Sequence, residues 1–430
     1  MRISILIGKP KRRMDMTLKL VKTRPILVPA YMQEFACIGS ACEDSCCAGW
    51  RVNVDQDTYK KYQRTRDLEL KPLLDKNVTR QRSQASSVNY AKIKMDNTGR
   101  CSLLTEDNLC KVQLTLGEDY LSNTCSIYPR AINRVNGMIE KSATMSCPEA
   151  ARLALLNPNG IVFEQTQEPT STRGFVSQEM QTDDHKVNNK PDRYLWDLRI
   201  FTIQVLQNRI YSLSERLILL GMFYQKVQTY IEQEKVHQIP DLIASYTQLM
   251  SDEGLRDSLL DIPTNLAIQM ELCKELMDFR FGHGIRNNRY MECLQETLAG
   301  IQYTAEATVE EITERYKIAF DDYYEPFMKE HEYILENYLV NHVFKNLFPL
   351  GQKTIFDDYV MMIVHYSMIK LHLIGMSGYH KGLSTELVIK LIQSFAKIVE
   401  HNKEFLRKVF KLLNVNEFTT MAYMAILIKN

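Results

Sequence analysis

The chain has 430 residues, 45% hydrophobic and 24% charged, an ordinary globular balance long enough for two or three domains at about 150 residues each. A net charge of +1 excludes the strong basic field that nucleic-acid binders carry, so nucleic acid is not an expected partner. Charge is nevertheless uneven: residues 1–190 hold 28 Lys and Arg against 21 Asp and Glu, and residues 191–430 hold 25 against 31.

Much of that excess sits at the start, where the first 24 residues carry eight bases and one acid. Ile3 to Ile7 is too short for the apolar region of a secretory signal, and Lys9, Lys11, Arg12 and Arg13 follow at once. Residues 1–27 therefore read as a basic lead-in, with Met14 and Met16 as alternative starts. No uninterrupted apolar run of about 18 residues follows, as a membrane span needs. Tyr359 to Met376 comes nearest, but His365, Lys370 and His372 interrupt it, and it reads as a buried helix. The expected compartment is the cytoplasm.

Eight of the ten cysteines lie between Cys37 and Cys147: Cys37, Cys42, Cys46 and Cys47, then Cys101 and Cys110, then Cys125 and Cys147. In a reducing cytosol disulfides do not persist, so clustered thiols point first to metal ligation, ahead of inert burial. Zinc and iron–sulfur centres both usually take four protein ligands, so four of the eight would suffice for one site. Between these groups, Asp55 or Asp57 is placed to cap a helix over 55–77. Val88 to Met95 suggests a short strand before the Asn97-Thr98-Gly99 turn.

From Asn157 to Arg193, Pro158, Gly160, Pro169, Gly174 and Pro191 punctuate a polar run, which reads as a linker or long loop. Beyond Tyr194 the chain turns helical. Ser212 with Glu215 has the form of a capping box. Helices are expected at 241–250, 264–280, 288–300, 308–320, 330–347, 355–375, 384–412 and 416–428, with prolines at or beside several ends. The fold class is mainly α, with little sheet. An irregular cysteine-rich metal-cluster domain (28–156) precedes the linker (157–193) and a multi-helix domain (194–430).

Specific stretches carry a family likeness: VPAYMQEFACIGSACEDSCCAGWRV (Val28–Val52), GRCSLLTEDNLC (Gly99–Cys110), LSNTCSIYPR (Leu121–Arg130), SCPEAARLAL (Ser146–Leu155) and ENYLVNHVFKNLFP (Glu336–Pro349). Together they resemble the flagellin lysine N-methylase family from about Val28 to the C-terminus. The cysteine block is also similar to the shorter zinc- or iron-chelating cysteine-cluster domains. The resemblance implies an S-adenosylmethionine-dependent protein-lysine N-methyltransferase acting on flagellin, with a [4Fe–4S] cluster, or alternatively zinc, in the cysteine block. The residues alone leave open a non-enzymatic zinc- or iron-binding scaffold and a cluster-containing redox protein.

Two motifs are missing. No Gly-rich G-x-G-x-x-G turn follows a strand, and Cys42-x3-Cys46 is not completed to a C-x3-C-x2-C triplet, since Gly49 stands where the third thiol would be. For the chemistry itself, a lysine ammonium with a pKa of about 10.4 must lose a proton before it can attack a methyl group. Asp322, Tyr323 and Tyr324 combine a carboxylate with hydroxyls just before the family-like Glu336 and are the candidate catalytic group. His283 and Arg286, between glycines and near Arg280 and Arg289, are the candidates for binding the donor, Arg through bidentate contact with its carboxylate. His365 and His372 are expected as satisfied core histidines, Cys273 and Cys293 as packed apolar thiols, and Arg130 as a hydrogen-bonded loop anchor.

Overall fold

In the computed structural model of this protein, the described residues are 22–49, 52–83, 85–170, 175–262, 264–266, 268–270, 287–304 and 306–429. The chain is mainly helical, as expected, but carries two sheets. Strands β1 (Thr23–Pro29), β5 (Arg130–Val135), β6 (Met138–Ala143), β7 (Phe163–Pro169) and β8 (Gln178–Met180) form a five-stranded sheet in the order β7-β1-β6-β5-β8. Pairs β1–β6 and β5–β8 are parallel, and β1–β7 and β5–β6 antiparallel. A second sheet, β2 (Asn53–Val54), β4 (Ala91–Ile93) and β3 (Val78–Arg80), is antiparallel.

Residues 157–193, which read as linker, thus hold both edge strands of the larger sheet. The sequence hid them for a physical reason. FEQTQEP has no apolar face to alternate, so β7 is held to β1 by backbone pairing along its whole length. Local signals did better elsewhere. Asp55 accepts from the Thr58 amide at 2.9 Å and caps Gln56–Arg64. Ser212 and Glu215 form the reciprocal capping box of Leu213–Glu232.

Two hydrophobic bodies matter for function. The main one runs from Tyr31 and the Pro148–Leu155 helix through the C-terminal helices to Ile428. Its axis is Ile355–His380, a helix long and apolar enough to cross a membrane, whose apolar stretch is buried inside the protein while Tyr379 and His380 at its end are exposed. The helix Asn288–Gly300 lies against it where Gly300 meets Gly375. The other body is small and separate: Val54, Tyr62, Leu74, Ile93, Leu103 and their neighbours between residues 52 and 121.

The helix expected over 384–412 is interrupted. Thr385–Phe395 runs into a wide π turn at Ala396–Glu400, and Asn402 then caps a fresh helix, Lys403–Val415, by accepting from the Phe405 amide. Ala396–Glu400 is the second π turn in chain order; the first, Phe320–Tyr324, joins Val309–Ala319 to Glu325–His331. Such turns carry an extra residue at a hydrogen-bonding cost and recur at functional sites.

Candidate functional site

Loop geometry, not sequence spacing, gathers the thiols. The Cys101 amide donates to the Cys47 carbonyl at 2.8 Å, and isolated bridges pair Ala48 with Arg100, Met95 with Cys101 and Leu104 with Cys110. Ser122 caps the short helix Asn123–Ile127 by accepting from the Cys125 amide, and Asp55 reaches across to the Asn123 amide at 3.0 Å. As a result Cys47, Cys101, Cys110 and Cys125 all pack into the small hydrophobic body.

Electrostatics follows from that crowding. Burial pushes the Cys125 thiol up to about 12, and the charges that Cys110 and Cys101 would carry add to the rise. Cys101 and Cys110 are raised for the same first reason. The Sγ atoms of Cys46 and Cys47 lie 3.9 Å apart. The hydrogen bond from Cys47 brings Cys46 down to about 7, with Lys397 helping, while Cys47 as the donor is pushed up. Of the remaining thiols, Cys42 is raised by burial and Cys147 is pushed up to about 11 by burial. Cys37 is exposed.

Among the described residues, no three Cys, His, Asp or Glu side chains meet in an arrangement that closes on a metal ion. The donor set nevertheless fits a soft metal in kind. Four cysteines, Cys47, Cys101, Cys110 and Cys125, pack against one small apolar body, and exposed Cys46 lies beside Cys47. Ionising several of them there is costly unless a cation compensates.

The compartment is tied to the helical body by a buried polar seam. Lys397, on the second π turn, donates to Asp44 at 2.8 and 3.0 Å and to the Ser45 carbonyl at 3.0 Å. Gln393 donates to Asp44 at 2.7 Å and to the Ser146 carbonyl at 2.9 Å. Tyr128, Ser146 and His401 form a hydrogen-bonded chain at 3.1 and 2.9 Å. Glu400, in the same turn, accepts from Tyr338 at 2.7 Å and from Lys345 at 2.9 Å.

Tyr338 and Lys345 belong to the family-like helix Tyr333–Lys345, whose polar residues are nearly all architectural. Glu336 is 1% exposed and pairs with Arg209 and Arg216 at 2.8 Å. Asn337 donates to the Leu155 and Asn157 carbonyls. Asn341 donates to the Ala143 carbonyl at 3.1 Å and accepts from Tyr31 at 2.7 Å. The motif therefore reads as the joint between the sheet layer and the helices, something no spacing rule reveals.

The predicted catalytic residues fall on the first π turn. Asp322 is exposed, Tyr323 lies under the Lys381 ammonium at 5.1 Å, and Tyr324 is buried. Only Tyr324 of the three lines the adjoining cleft, about 360 Å³, whose walls include Phe320, Glu325, Glu332, Tyr366 and Lys370. Burial holds the Tyr324 hydroxyl well above the usual phenol range, so it stays protonated. His283, Arg286, Arg280 and Cys273 lie outside the described residues. Cys293 is a buried thiol, as expected. Arg130 stacks over the Phe35 ring at 5.3 Å. His372 is satisfied by the Met368 carbonyl and Tyr290, whereas His365 is buried with no hydrogen-bond partner at either ring nitrogen, contrary to expectation.

The profile of the FliB lysine N-methylase C-terminal domain matches residues 199–427, more than half of the chain, and the protein belongs to that family. It is 23% identical over 400 residues to proteins named "Lysine-N-methylase" from Salmonella choleraesuis and Salmonella typhimurium, covering 89% of this chain and 94% of each relative. It is also 35% identical over 144 residues to the "Flagellar biosynthetic protein FliU" of Salmonella muenchen, 33% of this chain and 84% of that protein. No solved structure matches.

Proposed function

We propose that this protein is a cytoplasmic protein-lysine N-methyltransferase that takes methyl groups from S-adenosylmethionine and places them on flagellin lysines. The observation that carries the reading is the similarity to lysine-N-methylases over nearly the full length of both chains. The flagellar name of a third relative supports flagellin as the substrate.

Cys47, Cys101, Cys110 and Cys125 are the residues that would hold an inorganic centre, with Cys46 beside them. The class we assign is [4Fe–4S], with zinc as the alternative for the same thiolate set. Such a centre supplies cross-linking of loops that share only a small core, and so folding energy. The sulfonium donor supplies an activated methyl carbon: the lysine lone pair forms the new C–N bond as the C–S bond breaks onto sulfur. The protein's residues must therefore present a neutral amine. The Tyr324 hydroxyl can donate to an oxygen, or its oxygen can accept from an amine N–H and so leave the lone pair turned to the methyl carbon, but its raised pKa bars it from acting as the base. Asp322 and Tyr323 stay in the proposal as groups met by the substrate at the rim of the first π turn.

Anaerobically purified protein, flagellin and S-adenosylmethionine, analysed by mass spectrometry, test the reading. Methyl-sized mass increments on flagellin lysines are expected, and iron with acid-labile sulfide in the protein. Flagellin of unchanged mass removes the methyltransferase and leaves a metal-binding scaffold.

A further inference from the structure

The loop that carries Cys42, Cys46 and Cys47 folds around a single side chain of the helical body. Gln393 and Lys397 lie four residues apart where Thr385–Phe395 enters the second π turn, and both reach Asp44. The Lys397 ammonium contacts both Asp44 carboxylate oxygens at 2.8 and 3.0 Å and the Ser45 carbonyl at 3.0 Å. The Cys42 thiol donates to the Asp44 carbonyl at 3.1 Å. The far end of the loop closes on the same lysine: a methyl group added at Gly49 would lie 3.7 Å from Lys397 Cε. Cys46 and Cys47 are thus strung between two points that rest on Lys397.

We infer that Lys397 is a positioning residue for the inorganic centre: with Asp44 it fixes the cysteine loop and sets the charge beside the thiolates. The inference rests on the thiolate-centre reading above and adds the group that orients it.

Burial separates this pair from its neighbours. The Lys397 side chain is 7% exposed and that of Asp44 16%. Glu43, next in the chain, meets Arg152 at 2.7 Å and Arg289 at 3.8 Å, but Glu43 and Arg152 are partly open to water, which screens such a pair. A buried ion pair is a poor device for stability alone, because desolvating two charges offsets most of their attraction. Its place argues for another use. Ser45 immediately precedes Cys46, and Gln393 holds the carbonyl of Ser146, which precedes Cys147, at 2.9 Å. Partners that orient the ligands of a metal change affinity or activity by about 10–100-fold when removed. The potential of an iron–sulfur cluster also follows the charge around it.

The two charges make the role separable from simple loosening. Removing the ammonium leaves the Asp44 carboxylate unpaired, which disfavours an added electron and lowers the potential. Removing the carboxylate leaves the ammonium unpaired and raises it. A loop that is merely slack has no reason to reverse the sign.

The test uses full-length, anaerobically prepared protein: the wild type, Lys397→Met, Lys397→Arg, Asp44→Asn and Lys390→Met. Lys390 is the control, on the same helix but paired with Glu292 and Glu296 of Asn288–Gly300. Iron, zinc and sulfide contents are measured, then metal release to a chromogenic chelator and the midpoint potential, with flagellin methylation in parallel. Lys397→Met should shift the potential down and Asp44→Asn should shift it up, and both should release metal about tenfold faster. Lys397→Arg and Lys390→Met should stay near the wild type. Loss of the centre from Lys397→Met that Lys397→Arg restores supports the inference; loss that it does not restore overturns it. Shifts of one sign in Lys397→Met and Asp44→Asn, or wild-type potential and release in both, overturn the inference while metal in the wild type keeps the centre. Zinc without sulfide in the wild type removes the iron–sulfur assignment, and the release rates then decide. A wild type without metal overturns the centre and the inference together.

Discussion

A buried imidazole next to other ionisable groups carries its own pH signature. Burial lowers His342 to about 3, with the charge of His365 adding to the effect and Glu400 opposing it. Burial also lowers His372 to about 4, and His365 and His401 move the same way. Each folded value lies below the unfolded value of about 6.5, so between the two the unfolded chain holds the proton. Their stabilising contribution is complete above about pH 6.5 and is lost as pH falls toward the folded values. Asp358 acts in the opposite sense: burial raises it to about 7, so its contribution is lost as pH rises from about 4 to 7. The imidazoles outnumber it. Between pH 5 and 6 the free energy of unfolding should rise by about 1.4 kcal/mol per pH unit or more, one net proton's worth. Urea midpoints across that interval measure it, and His342→Gln should flatten the slope. A stability that falls with pH there would mean the imidazoles are protonated in the folded protein. The sequence put His365 and His372 on one buried helix, but which ring is hydrogen-bonded depends on Tyr290, which reaches His372 from far along the chain, while Phe395 packs edge-on against both.

Helix packing decides the next scale. A methyl group added at Gly300 would lie 1.7 Å from the Gly375 carbonyl oxygen, and one at Gly375 would lie 2.6 Å from the Thr297 oxygen. These are backbone atoms, which cannot swing aside. Gly300→Ala should therefore separate Asn288–Gly300 from Ile355–His380 and cost about 3 kcal/mol, the upper part of the usual overpacking range. Thermal unfolding checks it. Gly254→Ala is the control, since its nearest neighbour is the end of an Asp252 side chain, and a change there as large as at Gly300 would refute the close-approach explanation. What was legible at this scale is what local chemistry decides: the Asp55 and Ser212 caps, and Pro240 and Pro326 in the first turns of helices. The illegible parts are those that neighbours decide: the two π turns, the glycine contact, and strands such as β7 whose residues have no apolar face.

Among the described residues the helical body and the small body at residues 52–121 differ greatly in size, and this bears on the thiols. Sequence showed that Cys37–Cys147 was dense in sulfur but could not rank its members, because loops bring Cys47, Cys101, Cys110 and Cys125 together from separate turns while leaving Cys37 exposed. The body they enter contains about a dozen buried apolar residues, too few to be independently robust in a unit this size, where metals or disulfides usually add support. The helical body needs no such help, being built around a helix whose long apolar stretch is buried. Stripping the proposed centre from anaerobic protein with a chelator should therefore open residues 52–121 to protease first, while peptides from 195–260 and 333–429 stay protected. Limited proteolysis mapped by mass spectrometry, before and after stripping, checks the order. Cys125→Ser should reproduce the stripped pattern and Cys293→Ser should not, since Cys293 lies in the helical body against Ser394. Equal protection of 52–121 with and without the centre would mean that the small core folds unaided, and that whatever the sulfurs bind serves chemistry instead of architecture.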